Sequence, residues 1–228
     1  MKLRHELKYM VNEAQLELIR YRIEHLLSKD SNQTDDYYTI TSLYYDDFQN
    51  RCLNENYEGK DIRSKYRIRI YNHCADKIKL EKKSKIYGMT KKEVASISME
   101  ECTMLMRGKI PGIREEDEEI KKKIFCEMKI RGLQPKSIVE YNRTAYVQRV
   151  GNVRITFDKN ITGSNKIGDF FEIERRNVPL LPSGLHILEV KYDELLPNYL
   201  KQMLEIETLQ RTAFSKYCYA RIREEEYI

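Results

Sequence analysis

The sequence predicts an α+β protein built on an antiparallel sheet. Short segments alternate again and again between charged and apolar side chains, as strands with one wet and one dry face do. Helical periodicity falls in separate stretches, without the strand–helix–strand rhythm of a parallel sheet. No glycine-rich nucleotide loop follows any strand. The chain has 228 residues, 41% hydrophobic and 34% charged, with a formal charge of +5. That length suits one domain with a substantial core.

Residues 3–10 set Arg4, Glu6 and Lys8 against Leu3, His5, Leu7 and Tyr9, a first strand. Asn12 is a good N-cap for a helix over about 12–28, with Leu16, Ile19, Ile23, Leu26 and Leu27 at helical spacing. Residues 39–46 are β-branched and aromatic, a second strand. A polar connection to Gly59 leaves room for a short helix. Residues 64–71 form the centre of the pattern: Lys65, Arg67, Arg69 and Tyr71 point one way, Tyr66, Ile68 and Ile70 the other. Residues 78–85 repeat it, with Lys79, Glu81, Lys83 and Lys85 opposite Ile78, Leu80 and, less comfortably, Lys82. The two segments read as a hairpin.

Met89 to Ala95 is a basic segment in which Lys91 and Lys92 read as ordinary surface lysines. Ser98 and Glu101 make a capping box for a helix to about Met106. Residues 115–131 form a charged helix closed by Gly132. Strands follow at 135–147, 153–160, 170–175 and 185–192, then helices at 196–206 and 215–226.

The five cysteines form no CxxC pair, and the odd count fits reduced thiols. The four histidines lack zinc-site spacing. The N-terminus has no apolar signal region and no run could span a bilayer, so a cytoplasmic protein is expected. Nucleic acid is not an expected partner, because no dedicated motif is present and Glu81 interrupts the basic hairpin.

The charged strand faces read Arg4/Glu6/Lys8, Arg67/Arg69, Lys79/Glu81/Lys83, Arg143, Arg154/Asp158 and Glu189/Lys191. Two readings remain open at this point. One is a wet surface laced with ion pairs worth ~0–1 kcal/mol each. The other is a lumen whose arginine forks and lysines grip a polyphosphate chain, with glutamates holding a bridging divalent metal. Asp158 reads more readily as the partner of an arginine than as a ligand.

Eight motifs fall in order along the chain: Glu6-Leu-Lys8-Tyr9, Ser42-Leu-Tyr44-Tyr-Asp46, Lys65-Tyr-Arg67-Ile-Arg69-Ile-Tyr71, Leu80-Glu81-Lys82-Lys83, Tyr141-Asn-Arg143-Thr-Ala-Tyr146, Arg154-Ile-Thr-Phe-Asp158, Leu188-Glu189-Val190-Lys191 and Phe214-Ser215-Lys216-Tyr217. In this the sequence resembles the VTC domain, the polyphosphate polymerase domain within the triphosphate tunnel metalloenzymes, here in free-standing form. The resemblance covers nearly the whole chain and implies one closed antiparallel β-tunnel domain over residues 1–228, with helices around it. It implies transfer of the γ-phosphate of ATP to a growing polyphosphate chain, with Mn²⁺ or Mg²⁺. Lys8, Arg67, Arg69, Lys83, Arg143, Arg154 and Lys191 would then hold phosphates inside the tunnel, and Glu189 the metal. Ser215 and Lys216 would contact phosphate at one mouth, and Lys79 could join or replace Lys83. Glu6 would either shape the phosphate site or bind metal, or simply pair with Arg4 or Lys8 across the sheet. Hydrolases of the superfamily begin Glu-x-Glu-x-Lys, whereas Arg4 stands first here. Losing a carboxylate favours one metal and the polymerase branch over a tri- or polyphosphatase. A non-catalytic polyphosphate or inositol-phosphate binding module is the third alternative.

Overall fold

The computed structural model describes residues 3–31, 33, 35–205 and 207–226, without the side chains of residues 224–226. Its strands are β1 (His5–Asn12), β2 (Ser28–Lys29), β3 (Tyr38–Asp46), β4 (Ile62–Tyr71), β5 (Cys74–Ile86), β6 (Met89–Ile97), β7 (Gln134–Gln148), β8 (Val153–Ser164), β9 (Val178–Pro179), β10 (Leu185–Tyr192) and β11 (Gln210–Arg211). Its helices are α1 (Glu13–Glu24), α2 (Arg51–Tyr57), α3 (Met99–Met106), α4 (Glu119–Arg131), α5 (Asn198–Met203) and α6 (Lys216–Glu226).

One antiparallel sheet runs in the order β11-β1-β10-β8-β7-β3-β4-β5-β6, with β2 on β7 and β9 on β8. The sheet curls until its two ends approach. The ladder does not close, however. Between the β1 and β6 sides the strands meet at one isolated bridge, where the amides of Arg4 and Thr90 donate to each other's carbonyls at 3.0 and 2.9 Å. The closed tunnel expected from the sequence is therefore an open sheet with a seam in this structure.

Alternation decides the layers. Tyr66, Ile68 and Ile70 of β4 and Ile78 and Leu80 of β5 bury in a core with Leu105 of α3 and Ile124, Phe125 and Met128 of α4. Leu188, Val190, Ile155 and Phe157 bury against Leu16, Ile19 and Ile23 of α1 and Leu200 of α5. Lys82, the misfit on the apolar face, reaches Glu127 of α4 at 2.6 Å. The charged faces of the same strands are thus left to face one another.

Local chemistry fixes the helix ends. Asn12 caps α1 through its side chain, and Gln15 returns a bond to the Asn12 amide. Ser98 and Glu101 do the same for α3. Gly132 ends α4 in the left-handed conformation, at φ 62°. The Asp46 carboxylate accepts from the amides of Cys52 and Leu53 and so seats the start of α2.

Three expectations change. Met89–Ile97 is a full strand, joined to β5 by a tight turn in which Tyr87 and Gly88 both take positive φ. Residues 170–175 are not a strand. Arg175 folds back and donates to the carbonyls of Asp169 and Phe170, which holds this segment as an irregular turn. The helix expected over 196–206 is only Asn198–Met203, and Ile206 lies outside the described residues.

Candidate functional site

The facing strands enclose a cavity of about 480 Å³. Eleven cationic side chains line it against three carboxylates, an excess larger than the net charge of the whole chain. The cations come from β1, β4, β5, β6, β7, β8, β10 and α6, so sequence alternation on separate strands converges on one volume. A second cavity of about 420 Å³ continues the first, sharing Glu6, Lys8, Lys65, Lys83, Thr90 and Ser215 with it. Arg63, Lys85 and Arg211 make that end basic as well.

Arg67 donates from Nε to Glu81 at 2.8 Å and from Nη1 to the Tyr44 hydroxyl at 2.9 Å. Arg69 lies 3.8 Å from the other Glu81 oxygen, and Lys92 lies 2.5 Å from it. Arg143 grips Asp158 with two prongs, at 2.6 and 2.7 Å, and Lys216 meets the same carboxylate at 2.5 Å. Lys216 also stands 4.5 Å above the Tyr141 ring, a cation–π contact. Lys191 reaches Glu189 at 2.7 Å. Lys83 reaches Glu6 at 2.7 Å. Lys8 lies between these two glutamates, 3.5 Å from Glu6 and 3.6 Å from Glu189. Lys65 donates to the Ser215 hydroxyl at 2.7 Å, just ahead of α6.

The carboxylates fall into two kinds. Glu81 and Asp158 are fully buried beneath the wall and do not line the cavity. Glu6 and Glu189 do line it. Burial pushes their pKa values up, but the surrounding lysines win and hold both carboxyls well below the usual range. The lysines pay the opposite way. Burial pulls Lys83 down to about 8, with Glu6 opposing and Lys8 and Lys191 assisting. Burial likewise pulls Lys65 and Lys92 down to about 7. These side chains crowd positive charge that an anion would relieve.

Among the described residues, no cluster of three or more His, Cys, Asp or Glu side chains forms a ready-made metal centre. Glu6 and Glu189, both lumen-facing and bridged by Lys8, supply the kind of donor set Mg²⁺ or Mn²⁺ takes when phosphate oxygens and water complete the shell. The residues fit a single ion brought together with an anion.

Lys8, Arg67, Arg69, Lys83, Arg143, Arg154, Lys191, Glu6, Glu189, Ser215 and Lys216, the residues singled out through the resemblance, all line the first cavity. Lys79 does not. It donates instead to Ser96 of β6 at 2.9 Å. Arg154 sits at the rim, tied to Asp30 at 2.7 Å and to the Tyr38 hydroxyl at 3.0 Å. Asp158 is indeed an arginine partner. Lys92 corrects the surface reading, because it lines the cavity and pairs with Glu81. Lys65 and the tyrosines at 38, 44, 71 and 141 were also missing from the expected site. Lys65 could have been found, since it shares the charged face of β4 with Arg67 and Arg69. Tyr71 shares that face too and carries the same signal, whereas Tyr38, Tyr44 and Tyr141 carry none comparable.

A comparison with solved structures finds the same fold in distant sequences. A candidate adenylate cyclase of Bacillus halodurans superposes with a TM-score of 0.53 at 10% identity, over 90% of this chain and 88% of that one. A candidate adenylate cyclase of Vibrio parahaemolyticus gives 0.50 at 12% identity, over 96% and 97%. A search of curated protein sequences finds no match. The sequence profile of the VTC domain matches residues 3–222, which span every strand and every cavity-lining residue described above. By that match, and with a basic lumen where the family motifs place it, the chain belongs to the VTC domain family.

Proposed function

We propose that this protein is an ATP-dependent polyphosphate polymerase, a phosphotransferase that extends inorganic polyphosphate inside its basic lumen. Family membership supports a polyphosphate-related or triphosphate-binding function at the coarser level. The observation that carries the finer reading is the convergence of eleven cations on the first cavity, with Arg63, Lys85 and Arg211 extending the basic lining into the second. A compact anion would fill one cavity. A chain of phosphates can occupy both.

Phosphoryl transfer needs little covalent help from a protein. It is chiefly positioning, and neutralisation of charge spread over the transferred group. Arg67, Arg69 and Arg143 present planar forks to phosphate oxygens. Lys8, Lys83, Lys191 and Lys216 are point charges that can leave their carboxylates for phosphate as it enters. The attacking group is a terminal oxygen of phosphate, pyrophosphate or polyphosphate. It is already ionised, so no side chain is assigned as general base. Ser215 stands at the start of α6, where a helix N-terminus favours anions. Glu189, with Glu6, would hold Mn²⁺ or Mg²⁺, whose chemistry is to bridge phosphate oxygens and draw off charge.

The lumen is lined by residues from Arg4 to Tyr217, so we treat residues 1–228 as one functional domain. Among the described residues no helix is long and apolar enough to cross a membrane. Free cysteines support action in a reducing compartment such as the cytoplasm.

Purified protein incubated with ATP and Mn²⁺ should yield ADP and a polymer that a polyphosphatase degrades. Release of orthophosphate without polymer would establish the phosphatase reading instead. Tight anion binding with ATP left intact would establish a binding module.

A further inference from the structure

Glu81 is a charge in an unfavourable place for an anion trap. It is fully buried beneath the lumen wall, does not line the cavity, and so cannot touch phosphate or a bound cation there. Its negative charge lowers the attraction the site exerts on any anion. A lumen selected for charge alone would do better without it.

What Glu81 does is hold. It faces Arg67 in the β4–β5 ladder. One of its oxygens accepts from Arg67 at both Nε and Nη2, at 2.8 and 2.7 Å. The other faces Arg69 and Lys92. Tyr44 fixes Arg67 from a second side, and Ser42 and Tyr141 lie 3.4 Å from the Arg69 guanidinium. The Arg67 fork is therefore turned by the carboxylate behind it, and the Arg69 fork is held by the charge of the same carboxylate at 3.8 Å; the N–H bonds left over on each can meet a ligand.

We infer that Glu81 is a positioning residue for the anion site, aiming the Arg67 and Arg69 forks and the Lys92 ammonium from β4 and β6 into the lumen. This rests on the phosphate-binding reading but not on polymer synthesis. The sign of one measurement separates aim from charge. Glu81→Gln keeps the shape and adds one positive charge to the site's balance. If only charge matters, inorganic tripolyphosphate binds tighter. If Glu81 sets the forks, binding weakens despite the gain in charge.

The test is calorimetric titration of wild-type, Glu81→Gln and Glu81→Asp protein with tripolyphosphate. Glu119→Gln, on the exposed face of α4, is the control for an equal charge change. We expect roughly tenfold weaker binding for both Glu81 variants, at unchanged stoichiometry, and no weakening in the control. A merely structural role would lower the fraction of competent protein, seen as stoichiometry, and leave the dissociation constant alone. Affinity equal to or tighter than wild type in Glu81→Gln overturns the inference. Should neither variant fold, the wild-type protein decides. Its Arg67 Nε–H resonance should keep its hydrogen-bonded shift when tripolyphosphate is added, and movement to a ligand-dependent shift overturns the assignment. Wild-type protein that does not bind tripolyphosphate overturns both this inference and the phosphate reading. Binding without polymer from ATP removes the polymerase reading and leaves Glu81 its role.

Discussion

Lys83 of β5 and Glu6 of β1 meet across the seam of the sheet, Nζ to carboxylate at 2.7 Å, although their strands share no ladder. The lumen wall is thus joined by a charge pair where backbone hydrogen bonds give out. The sequence left Glu6 to shape the phosphate site, bind metal, or pair with Arg4 or Lys8. Its shortest ion pair is instead with Lys83, with Lys8 at 3.5 Å, in a place where an entering anion would compete for the lysine.

Arg67→Ala or Arg69→Ala should abolish turnover, by roughly two to three orders of magnitude if each fork stabilises transferred charge as an oxyanion-hole donor does. Far-ultraviolet circular dichroism should remain that of the wild type. A polymerisation rate within a few-fold of wild type would remove the lumen from the reaction.

Asp158→Asn should cost more stability than any lumen-facing change. It removes the fully buried carboxylate that Arg143 and Lys216 share and leaves the two buried cations only Glu189, at 3.6 and 3.2 Å. Breaking a buried pair from one side costs about 3–5 kcal/mol, readable as a lower urea midpoint with an unchanged slope.

Anion affinity should fall as pH rises from about 7 to 9. Lys65 and Lys83 are depressed by burial to about 7 and about 8, so they shed protons in this window and take them up again when an anion binds. Titrations of tripolyphosphate at pH 8 in buffers of different ionisation enthalpy should show net proton uptake. Stability without ligand runs the other way through these lysines. Their folded pKa values lie below the unfolded ones, so the unfolded chain binds more protons across the window and stability rises with pH. Glu6 has the opposite sense. Its carboxyl is held below its ordinary 4.5, so its contribution is present above that value and lost as pH falls below it.

Glu189→Gln should lose metal dependence before it loses anion binding. Calorimetry with Mn²⁺ in the presence of tripolyphosphate should show the metal-linked heat vanish while tripolyphosphate still binds. Equal metal dependence in the variant would assign the metal elsewhere.

Gly163→Ala should disturb the site from outside it. An added Cβ would lie 3.0 Å from Leu180 Cδ2 and 3.2 Å from Ala220 Cβ, where β8 meets the helix that carries Lys216. Overpacking of this kind costs about 1–3 kcal/mol, checked by thermal melting.

The inward face of the sheet was legible because period-two alternation survives in each strand: one glance at 65–71 separates Lys65, Arg67 and Arg69 from Tyr66, Ile68 and Ile70. The N-cap at Asn12 and the capping box at Ser98 were legible for the same reason, a local chemistry written in neighbouring residues; the Gln15 bond that completes a box at Asn12 emerged only in the structure. Lys92 was misjudged because its strand sits at the sheet's edge, where a lumen lysine and a surface lysine look alike in sequence. Lys79 failed for the reverse reason. It shares a strand face with Lys83, but its ammonium goes to Ser96 on the neighbouring strand, a choice that alternation does not record. The two-residue strands β2, β9 and β11 are too short to carry any period at all.

Lys8 donates to the carbonyl of Phe214, 206 residues downstream, and shares Glu189 with Lys216. During synthesis, the first basic strand must therefore wait for nearly the whole polypeptide before it has a ladder partner, since β10 and β11 are the strands that pair with it. Pairings so distant make for slow, late consolidation. A proteolytic cut that releases α6 should then erase anion capture outright, instead of trimming it in proportion to the residues lost.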